Sequence, residues 1–437
     1  MHNLKRLKLV GADYLKYNPL SRAATGWVLQ FVTGLSKPGH SNHVAKLLLR
    51  MTFAARLIGR DRPSPELEHR ITEFAQQWSP VSFDWDFFFP NSKRQLVQKA
   101  IILKRPKDTE KGVLFVAFED NWLRLFRYGN IDKLAAQYDL VLSPTWSPPY
   151  DLPFLIAYRL WPSTLITILS NLEDAPVFHR LTPQVVTVPL LASSWVNPET
   201  FSVSQNNQKK FDVVILATFA NYKRHFALFQ AASRMRSKPK VLVLGHKWGG
   251  RSRAVLEEEA RLFGVLEQVT FAEALPDKEM IEMLQSAKVS VIMSLGEGSC
   301  VAVAESLFAD VPVALIETAN VGSRAFINDQ TGCFLRPGRI AQDLEEFIER
   351  SSTYRPREWM LANRMSHRDS SCILNEALKR LAAQKGQPWT TDIATMHWRP
   401  NAAFDSETDQ ERMRPEYDRF AADFGIPVQL IPIADKT

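Results

Sequence analysis

The middle of the chain alternates short apolar runs with helical stretches. Residues 113–118, 139–143, 164–169 and 185–190 read VLFVAF, DLVLS, TLITIL and VVTVPL. Runs of this length are typical of strands buried on both faces of a parallel sheet, and helical stretches such as 131–137 can be placed between them. The alternation predicts an α/β domain with a parallel sheet.

A second series of apolar runs follows a polar segment at residues 206–210, where we place a linker. FDVVILATF begins this series, and KVLVLG and VTFAE continue it, with the amphipathic segment AVLEEEARLFGV between the last two. Gly264 ends that predicted helix. This order of elements is that of a doubly wound α/β half.

The stretch from Val289 to Glu317 predicts a strand, a glycine-containing loop, a helix and a further strand. Its loop spans residues 294–299. Ligands of open parallel sheets bind outside the carboxyl ends of the strands, so the loop lies where a substrate is expected. The small residues at the start of the helix offer backbone N–H groups and a positive dipole end, which suit a phosphate.

Two carboxylates bracket the start of this helix. Glu297 precedes it and Glu305 lies about two turns along it, so the two side chains would hold different parts of one long ligand. Each also has an ordinary explanation, in which Glu297 caps the loop and Glu305 is a solvated helix residue. The apolar neighbours of Glu305 argue against this explanation, because a carboxylate on an almost wholly apolar helix is expected to have a partner.

Two cations follow the run FDVVILATF. Lys223 and Arg224 stand at the start of another predicted helix, where positive charge opposes the helix dipole. The arrangement becomes favourable when an anion joins the two side chains. Without such an anion, a Lys-Arg pair is usually a solvated face.

The run EGSCVAVAE, residues 297–305, and the following SLFADVPVAL resemble the Glu-x7-Glu motif of retaining GT-B glycosyltransferases of the family-4 type. The resemblance covers residues 211–350 and is poor elsewhere. It departs from the family pattern at Gly322-Ser323, where the family prefers two glycines.

The resemblance implies a role for each matching residue. Glu297 would lie beside the donor sugar, Glu305 would hold the nucleotide ribose, and Lys223 with Arg224 would neutralise the donor diphosphate. The donor is a nucleotide-diphosphate sugar, and neither a metal nor a cofactor is expected. The other implied donor-binding positions are Gly298, Ser299, Cys300, Gly245 and Gly322.

The fold class implied is α/β and GT-B-like, with two Rossmann-like doubly wound domains facing a cleft and helical extensions at both termini. We accordingly divide the chain into a helical extension (1–95), an acceptor domain (96–205), a donor domain (206–350), and terminal helices with a tail (351–437).

Polar residues at the strand ends of the first domain are candidates for acceptor binding. They are Glu119, Asp120, Asn121 and Asn171. Clustered acids and an amide can orient acceptor hydroxyls, and Asp120 or Glu119 can accept a proton. Loop solvation and helix capping explain the same residues equally well. The family's glycine-rich amino-terminal loop is missing, so this assignment rests on the residues alone.

Composition suggests a compartment and a second partner. Three cysteines without paired spacing favour a reducing compartment, and no apolar stretch reaches the roughly 20 residues of a membrane span, so we expect a cytoplasmic protein. Residues 1–60 hold ten Lys and Arg against one acid, Asp13, although the whole chain carries only +7. This basic segment with its apolar clusters is typical of a membrane-surface helix or of an ordinary helix with a basic face. No nucleic-acid-binding motif accompanies it.

The sequence therefore predicts a glycosyltransferase that moves a sugar from a nucleotide-diphosphate donor to a glycan or lipid-linked acceptor, with the retention of configuration that the resemblance implies. Two alternatives stay open. An epimerase or hydrolase of GT-B fold would act on the same nucleotide sugar, and an inactive protein would keep the fold to bind a membrane or a partner. Glu297 and Glu305 together argue against the inactive form. Lipid binding by residues 1–60 would place the protein at the inner face of the membrane.

Overall fold

The chain begins with helices, as the sequence predicts. The computed structural model describes residues 2–34, 69, 72–73, 83–90, 92–182, 184–202, 208–398 and 401–433. The first helices are α1 (His2–Tyr17), α2 (Pro19–Gly34) and the short α3 (Trp85–Phe88). The basic segment beyond residue 34 and residues 206–207 of the predicted linker lie outside the described residues.

The first sheet has five strands in the sequential order β1-β2-β3-β4-β5, with β1 antiparallel to β2 and the others parallel. The strands are β1 (Ala100–Lys104), β2 (Gly112–Ala117), β3 (Tyr138–Ser143), β4 (Leu165–Leu169) and β5 (Val185–Leu191). The helices among them are α4 (Glu119–Tyr128), α5 (Ile131–Gln137), α6 (Leu152–Leu160) and α7 (Ala175–Leu181). The four predicted strands are confirmed; β1 was missed because a short run between lysines carries little periodicity.

The second sheet is parallel throughout, with the order β11-β10-β9-β6-β7-β8. Its strands are β6 (Phe211–Leu216), β7 (Val241–Gly245), β8 (Val269–Glu273), β9 (Ala287–Ile292), β10 (Val313–Ile316) and β11 (Gly332–Leu335). Its helices are α8 (His225–Ala232), α9 (Arg253–Leu262), α10 (Asp277–Gln285), α11 (Val301–Phe308), α12 (Ile340–Glu349) and α13 (Pro356–Ala362). The winding reverses between β6 and β9, which is the doubly wound order and defines the switch point where such sheets bind ligands.

The carboxyl-terminal segment packs on the first sheet. It comprises α14 (His367–Gln384), the antiparallel strands β12 (Met396–Trp398) and β13 (Ala402–Phe404), and α15 (Glu407–Phe424). The Ile102 N–H donates to the Tyr417 hydroxyl at 2.9 Å, and the Tyr138 hydroxyl donates to the buried Glu416 carboxylate at 2.8 Å. The tail after residue 405, which the sequence pattern left unassigned, therefore covers this sheet.

The chain divides into two compact units. The second-sheet unit comprises residues 1–14 and 196–366, and the first-sheet unit comprises residues 15–195 and 367–437. No described helix is both long enough and apolar enough to cross a membrane.

Candidate functional site

The candidate site lies at the carboxyl ends of β6 and β9, the switch point of the second sheet. Lys223 and Arg224 end the loop after β6, and Glu297 lies in the loop after β9. Because β6 and β9 are parallel neighbours, these loops leave the sheet at the same edge. The topology thus brings together the predicted cations and a predicted carboxylate.

Lys223 and Glu297 form a largely buried ion pair. Lys223 Nζ donates to Glu297 Oε2 at 2.6 Å, with 13% and 8% of the two side chains exposed. Burial alone lowers the pKa of Lys223, but neighbouring groups, among them the Glu297 carboxylate bonded to it, raise it by more, so its pKa lies above the usual value. Glu297 Oε1 is buried and has no hydrogen-bond partner in the described part of the chain. One carboxylate oxygen is therefore held by lysine, and the other can accept a hydrogen bond from a ligand hydroxyl.

Arg224 is paired with a carboxylate from the first helix. Its Nε and Nη2 atoms donate to Asp13 Oδ1 and Oδ2, each at 2.8 Å, and Nη1 donates to the Met293 carbonyl oxygen at 2.8 Å. The Arg224 backbone is left-handed, with φ 53°. The two cations at the start of α8 thus contact two anions of the chain itself, Glu297 and Asp13.

The glycine-containing loop after β9 is fixed to the loop after β10 by backbone hydrogen bonds. These bonds run from Asn320 N to Leu295 O, Glu297 N to Asn320 O, Gly322 N to Gly298 O and Ser323 N to Ser299 O, at 2.7–3.2 Å. A loop held in this way needs little reorganisation when a ligand binds. Since the Gly322 N–H donates to the Gly298 carbonyl oxygen, this N–H is already used within the protein, and the donor contact predicted for Gly322 stays a prediction.

Cys300 and Glu305 flank the first turns of α11. Cys300 precedes the helix with φ 51°, and burial, together with Glu297, raises the pKa of its thiol well above the usual value. Cys300 is therefore a neutral thiol, unsuited to act as a nucleophile. Glu305 is half-buried in the second turn, and the adjacent Ser306 hydroxyl bonds Ser290 of β9 at 3.0 Å, which ties the helix to the sheet.

Gly245, at the end of β7, has a structural reason to be glycine. A Cβ atom at this position would lie 1.9 Å from the Ala217 carbonyl oxygen. The close approach of two strand ends therefore requires the missing side chain, and the donor contact predicted for Gly245 stays a prediction.

The sequence analysis missed a group of buried polar atoms in the same two loops. His225 is 1% exposed, and neither ring nitrogen has a hydrogen-bond partner among the described residues. Burial, and then the charges of Arg251 and Lys223, lower the pKa of His225 to about 3, so its ring is neutral at physiological pH. The Thr218 and Ser294 hydroxyls are likewise buried and unpartnered within the described ranges. Buried polar atoms without partners are costly, so their concentration at the switch point indicates a polar ligand.

In the first-sheet unit, the Glu119 carboxylate accepts hydrogen bonds from the backbone of a neighbouring loop. The structure begins α4 at Glu119, whereas the sequence analysis expected a strand-end loop there. Glu119 Oε1 accepts from the backbone N–H groups of residues 145–147, and Oε2 accepts from the Thr145 hydroxyl, at 2.5–3.1 Å. Both carboxylate oxygens are occupied, which disfavours Glu119 as a proton acceptor.

Local hydrogen bonds also involve two other predicted acceptor residues. Asn121 is 2% exposed and donates to the Val97 and Ala117 carbonyl oxygens at 3.1 Å. The Asn171 side chain accepts from the Glu173 N–H at 3.1 Å, as a capping residue does. Asp120 is exposed on α4. These contacts favour capping and loop support for Asn121 and Asn171, and Asp120 keeps its side chain at the surface.

An Asp-x-Asp spacing, Asp84 and Asp86, occurs in the first-sheet unit. Asp86 is mostly exposed and accepts from Arg127 Nη2 at 2.6 Å. This pairing gives Asp86 a partner in its own unit.

A cavity of about 690 Å³ lies at the opposite edge of the second sheet, where β6, β9 and β10 begin. Lys209, Asp212, Lys288 and Arg355 are among its lining residues. Ligands of doubly wound sheets bind at the carboxyl ends of the strands, so we place the functional site at the switch point and not in this cavity.

The second-sheet unit matches the model of a known protein family. Residues 196–364 match the family model described as glycosyl transferases group 1. These residues form a glycosyltransferase domain. The predicted enzyme class, glycosyltransferase, is confirmed. The match nearly coincides with residues 196–366 of the second-sheet unit and contains Lys223, Arg224 and Glu297.

Several solved structures are similar to this chain. Sucrose-phosphate synthase from Thermosynechococcus elongatus is 14% identical, with 62% of this chain and 74% of that chain covered and a TM-score of 0.50. Anabaena HepE in complex with UDP is 11% identical, with 80% and 97% covered and a TM-score of 0.47. The pneumococcal O-GlcNAc transferase GtfA in complex with UDP and GlcNAc is 15% identical, with 60% and 53% covered and a TM-score of 0.43. No curated protein matches the chain. The first of these structures supports the predicted GT-B fold class, and at such identity the likeness concerns the fold alone.

Proposed function

We propose that this glycosyltransferase moves a sugar from a nucleotide-diphosphate donor to an acceptor hydroxyl with retention of anomeric configuration. The observation that carries the proposal is the convergence of Lys223, Arg224 and Glu297 at the switch point of the glycosyltransferase domain. Retention follows the resemblance of residues 297–305 to the Glu-x7-Glu motif.

Lys223 and Arg224 would stabilise the leaving group. When the bond between the sugar and the diphosphate breaks, negative charge grows on the diphosphate oxygens. Cations already fixed in place stabilise this charge without reorganisation. The planar guanidinium of Arg224 suits bidentate contact with phosphate oxygens, and the amides at the start of α11 would add further donors.

Glu297 and Glu305 would hold the two ends of the donor. The Oε1 atom of Glu297, which is unpartnered in the described part of the chain, would accept a hydrogen bond from a hydroxyl of the sugar. Glu305 lies eight residues further on. Four of these steps lie within α11, which begins at Val301 and contributes a rise of about 6 Å at 1.5 Å per residue, and the other four lie in the preceding loop. Such a separation suits a ligand in which a diphosphate joins a sugar to a ribose.

The first test is a thermal-shift panel of UDP, GDP, ADP, CMP and their sugar conjugates. A ligand that binds only the native state raises the melting temperature, so the proposal expects a shift with one nucleoside diphosphate and its sugar conjugate. The same panel on Glu305→Ala should give a smaller shift. If no compound shifts a protein that melts cooperatively, the donor site is refuted.

We extend the proposal to an anionic membrane surface, because α1 and α2 expose apolar stripes. In α1 the side chains of Leu4, Leu7, Tyr14 and Leu15 are 63–72% exposed, and at 100° per residue they fall within an arc of about 100°. Exposed apolar stripes of this kind mark interaction sites. Helix α1 also carries Lys8 and Lys16, which suit anionic headgroups.

Helix α2 repeats the pattern with larger side chains. Leu20, Trp27, Val28 and Phe31 are 59–81% exposed. Trp and Phe are favoured at the boundary between headgroups and acyl chains. A protein held at such a surface would find a lipid-linked glycan or a growing polysaccharide as its acceptor.

Flotation with vesicles tests the membrane proposal. We expect the protein to float with phosphatidylglycerol vesicles and to float less with pure phosphatidylcholine, because its basic residues prefer anionic lipid. Replacing Trp27 and Phe31 with serine should weaken vesicle binding about tenfold or more, since each buried aromatic contributes about 1.5–3 kcal/mol.

The matched control replaces exposed apolar residues elsewhere. Leu361 and Ile373 are 46% and 40% exposed, and Leu361→Ser with Ile373→Ser should leave flotation unchanged. Equal binding by wild type and the Trp27→Ser, Phe31→Ser variant would remove α2 from the membrane contact.

A further inference from the structure

Asp13 is hydrogen-bonded to Arg224, the side chain that is proposed to bind the donor diphosphate. Its two carboxylate oxygens accept from Nε and Nη2 of Arg224, both at 2.8 Å. The Asp13 and Arg224 side chains are 15% and 12% exposed, so the pair is largely shielded from water. This paired fork is the geometry with which arginine also binds phosphate.

Further contacts hold α1 against the second-sheet unit. Lys5 Nζ donates to Glu258 at 3.3 Å, and the Arg6 guanidinium lies 4.9 Å from the centre of the Phe263 ring. At 100° per residue, Arg6 and Asp13 point in nearly the same direction, whereas Asp13 lies opposite Leu4. The helix therefore places its acid on the docked face and its apolar stripe on the outer face.

The two carboxylates at the switch point differ in origin. Glu297, the partner of Lys223, belongs to the loop proposed to bind the donor. Asp13 comes from an amino-terminal helix outside the matched residues 196–364, and it is the one acid in the α1 sequence. The Asp13 carboxylate reaches Arg224 from outside the donor loop. Its two oxygens resemble a pair of phosphate oxygens, and it has no evident part in binding a sugar.

We propose that Asp13 is a built-in competitor of the donor: the diphosphate of the nucleotide sugar displaces Asp13 from Arg224, and α1 thereby sets the affinity of the donor site. This inference rests on the proposed function of Arg224. When only a fraction of the molecules is competent to bind, the apparent dissociation constant rises by the inverse of that fraction. A site in which Asp13 is bound nine-tenths of the time binds its donor about tenfold more weakly than the same site without the carboxylate.

The test measures the affinity of UDP, GDP and ADP for the full chain by isothermal titration calorimetry. Asp13→Asn keeps the size of the side chain and removes its charge, and we expect the bound nucleoside diphosphate to bind about tenfold or more tightly. Asp13→Ala, with the best helix former, is the second variant should the amide disturb α1. Glu279→Gln is the matched control, since it removes one exposed acid of the same unit, in the first turn of α10, and leaves the Lys5–Glu258 contact of α1 in place; its affinity should equal that of wild type.

Each outcome decides between distinct conclusions. Tighter binding by both Asp13 variants, with no change in Glu279→Gln, supports the competitor. Equal or weaker binding by the Asp13 variants overturns it and makes Asp13 an orienting partner of Arg224, while the proposed function stands. A gain of the same size in Glu279→Gln also overturns it, because general charge would then explain the effect. If no nucleoside diphosphate binds wild type or any variant, the proposed function fails and this inference falls with it.

Discussion

Replacing Lys223 and Arg224 together with alanine is expected to lower the turnover number for sugar transfer by about a thousandfold or more. Each charge-assisted contact with the leaving diphosphate contributes about 1.5–3 kcal/mol, and loss of a preorganised donor to developing charge costs a factor of about 10²–10³. The measurement is product formation at saturating donor, with the donor that the thermal-shift panel identifies. Near-normal turnover would remove both cations from the mechanism.

Folding has to be controlled in this experiment, because Lys223→Ala leaves the Glu297 carboxylate buried without its cation. Breaking a buried pair in this way destabilises a protein by about 3–5 kcal/mol. Lys223→Gln with Arg224→Gln keeps N–H donors for Glu297 and Asp13 and removes only the charge, so this variant should fold better and be similarly inactive. Arg234→Ala with Arg236→Ala is the charge-matched control. Both of these arginines are exposed just beyond α8, and their loss should leave turnover unchanged.

The second large effect is expected at Glu305, where Glu305→Gln should weaken donor binding about tenfold to a hundredfold. A hydrogen bond to a charged group contributes about 1.5–3 kcal/mol, and the ribose is remote from the bond that breaks. The dissociation constant of the nucleoside diphosphate should therefore rise, while turnover at saturating donor should change by no more than about threefold. Calorimetry measures the first quantity and initial rates measure the second.

The matched control for Glu305 is Glu279→Gln, an exposed glutamate in the first turn of α10 in the same unit. Its nucleotide affinity should equal that of wild type. An unchanged affinity in Glu305→Gln would refute the ribose assignment. A loss of turnover without a loss of affinity would place Glu305 near the reacting bond instead.

The sequence determined five of the six strands of the second sheet, β6 to β10, and pointed to several residues of its candidate site. Buried parallel strands leave apolar runs that no solvent-facing residue interrupts, so KVLVLG predicted β7 to within one residue. The edge strand β8 also matches its predicted run VTFAE, although Thr270 in it is exposed. A carboxylate on an apolar helix and two cations against a helix dipole conflict with their local surroundings. Conflicts of this kind are visible without coordinates, which is why Glu305, Lys223 and Arg224 stood out.

Only the tertiary structure decided which charges meet. Asp13 and Arg224 lie far apart in the sequence, and no local pattern links them, because a docked helix and a strand-end loop meet through the packing of a whole unit. His225 was missed for the same reason, since burial of both ring nitrogens depends on neighbours from other loops. Glu119 was a candidate for acceptor binding, with capping as an equal alternative, because only its strand-end position can be read locally. Its actual contacts are with residues 145–147, in the loop after the neighbouring strand β3. Periodicity and local charge conflicts can be determined from the sequence, but the partner of each polar side chain is fixed by long-range packing.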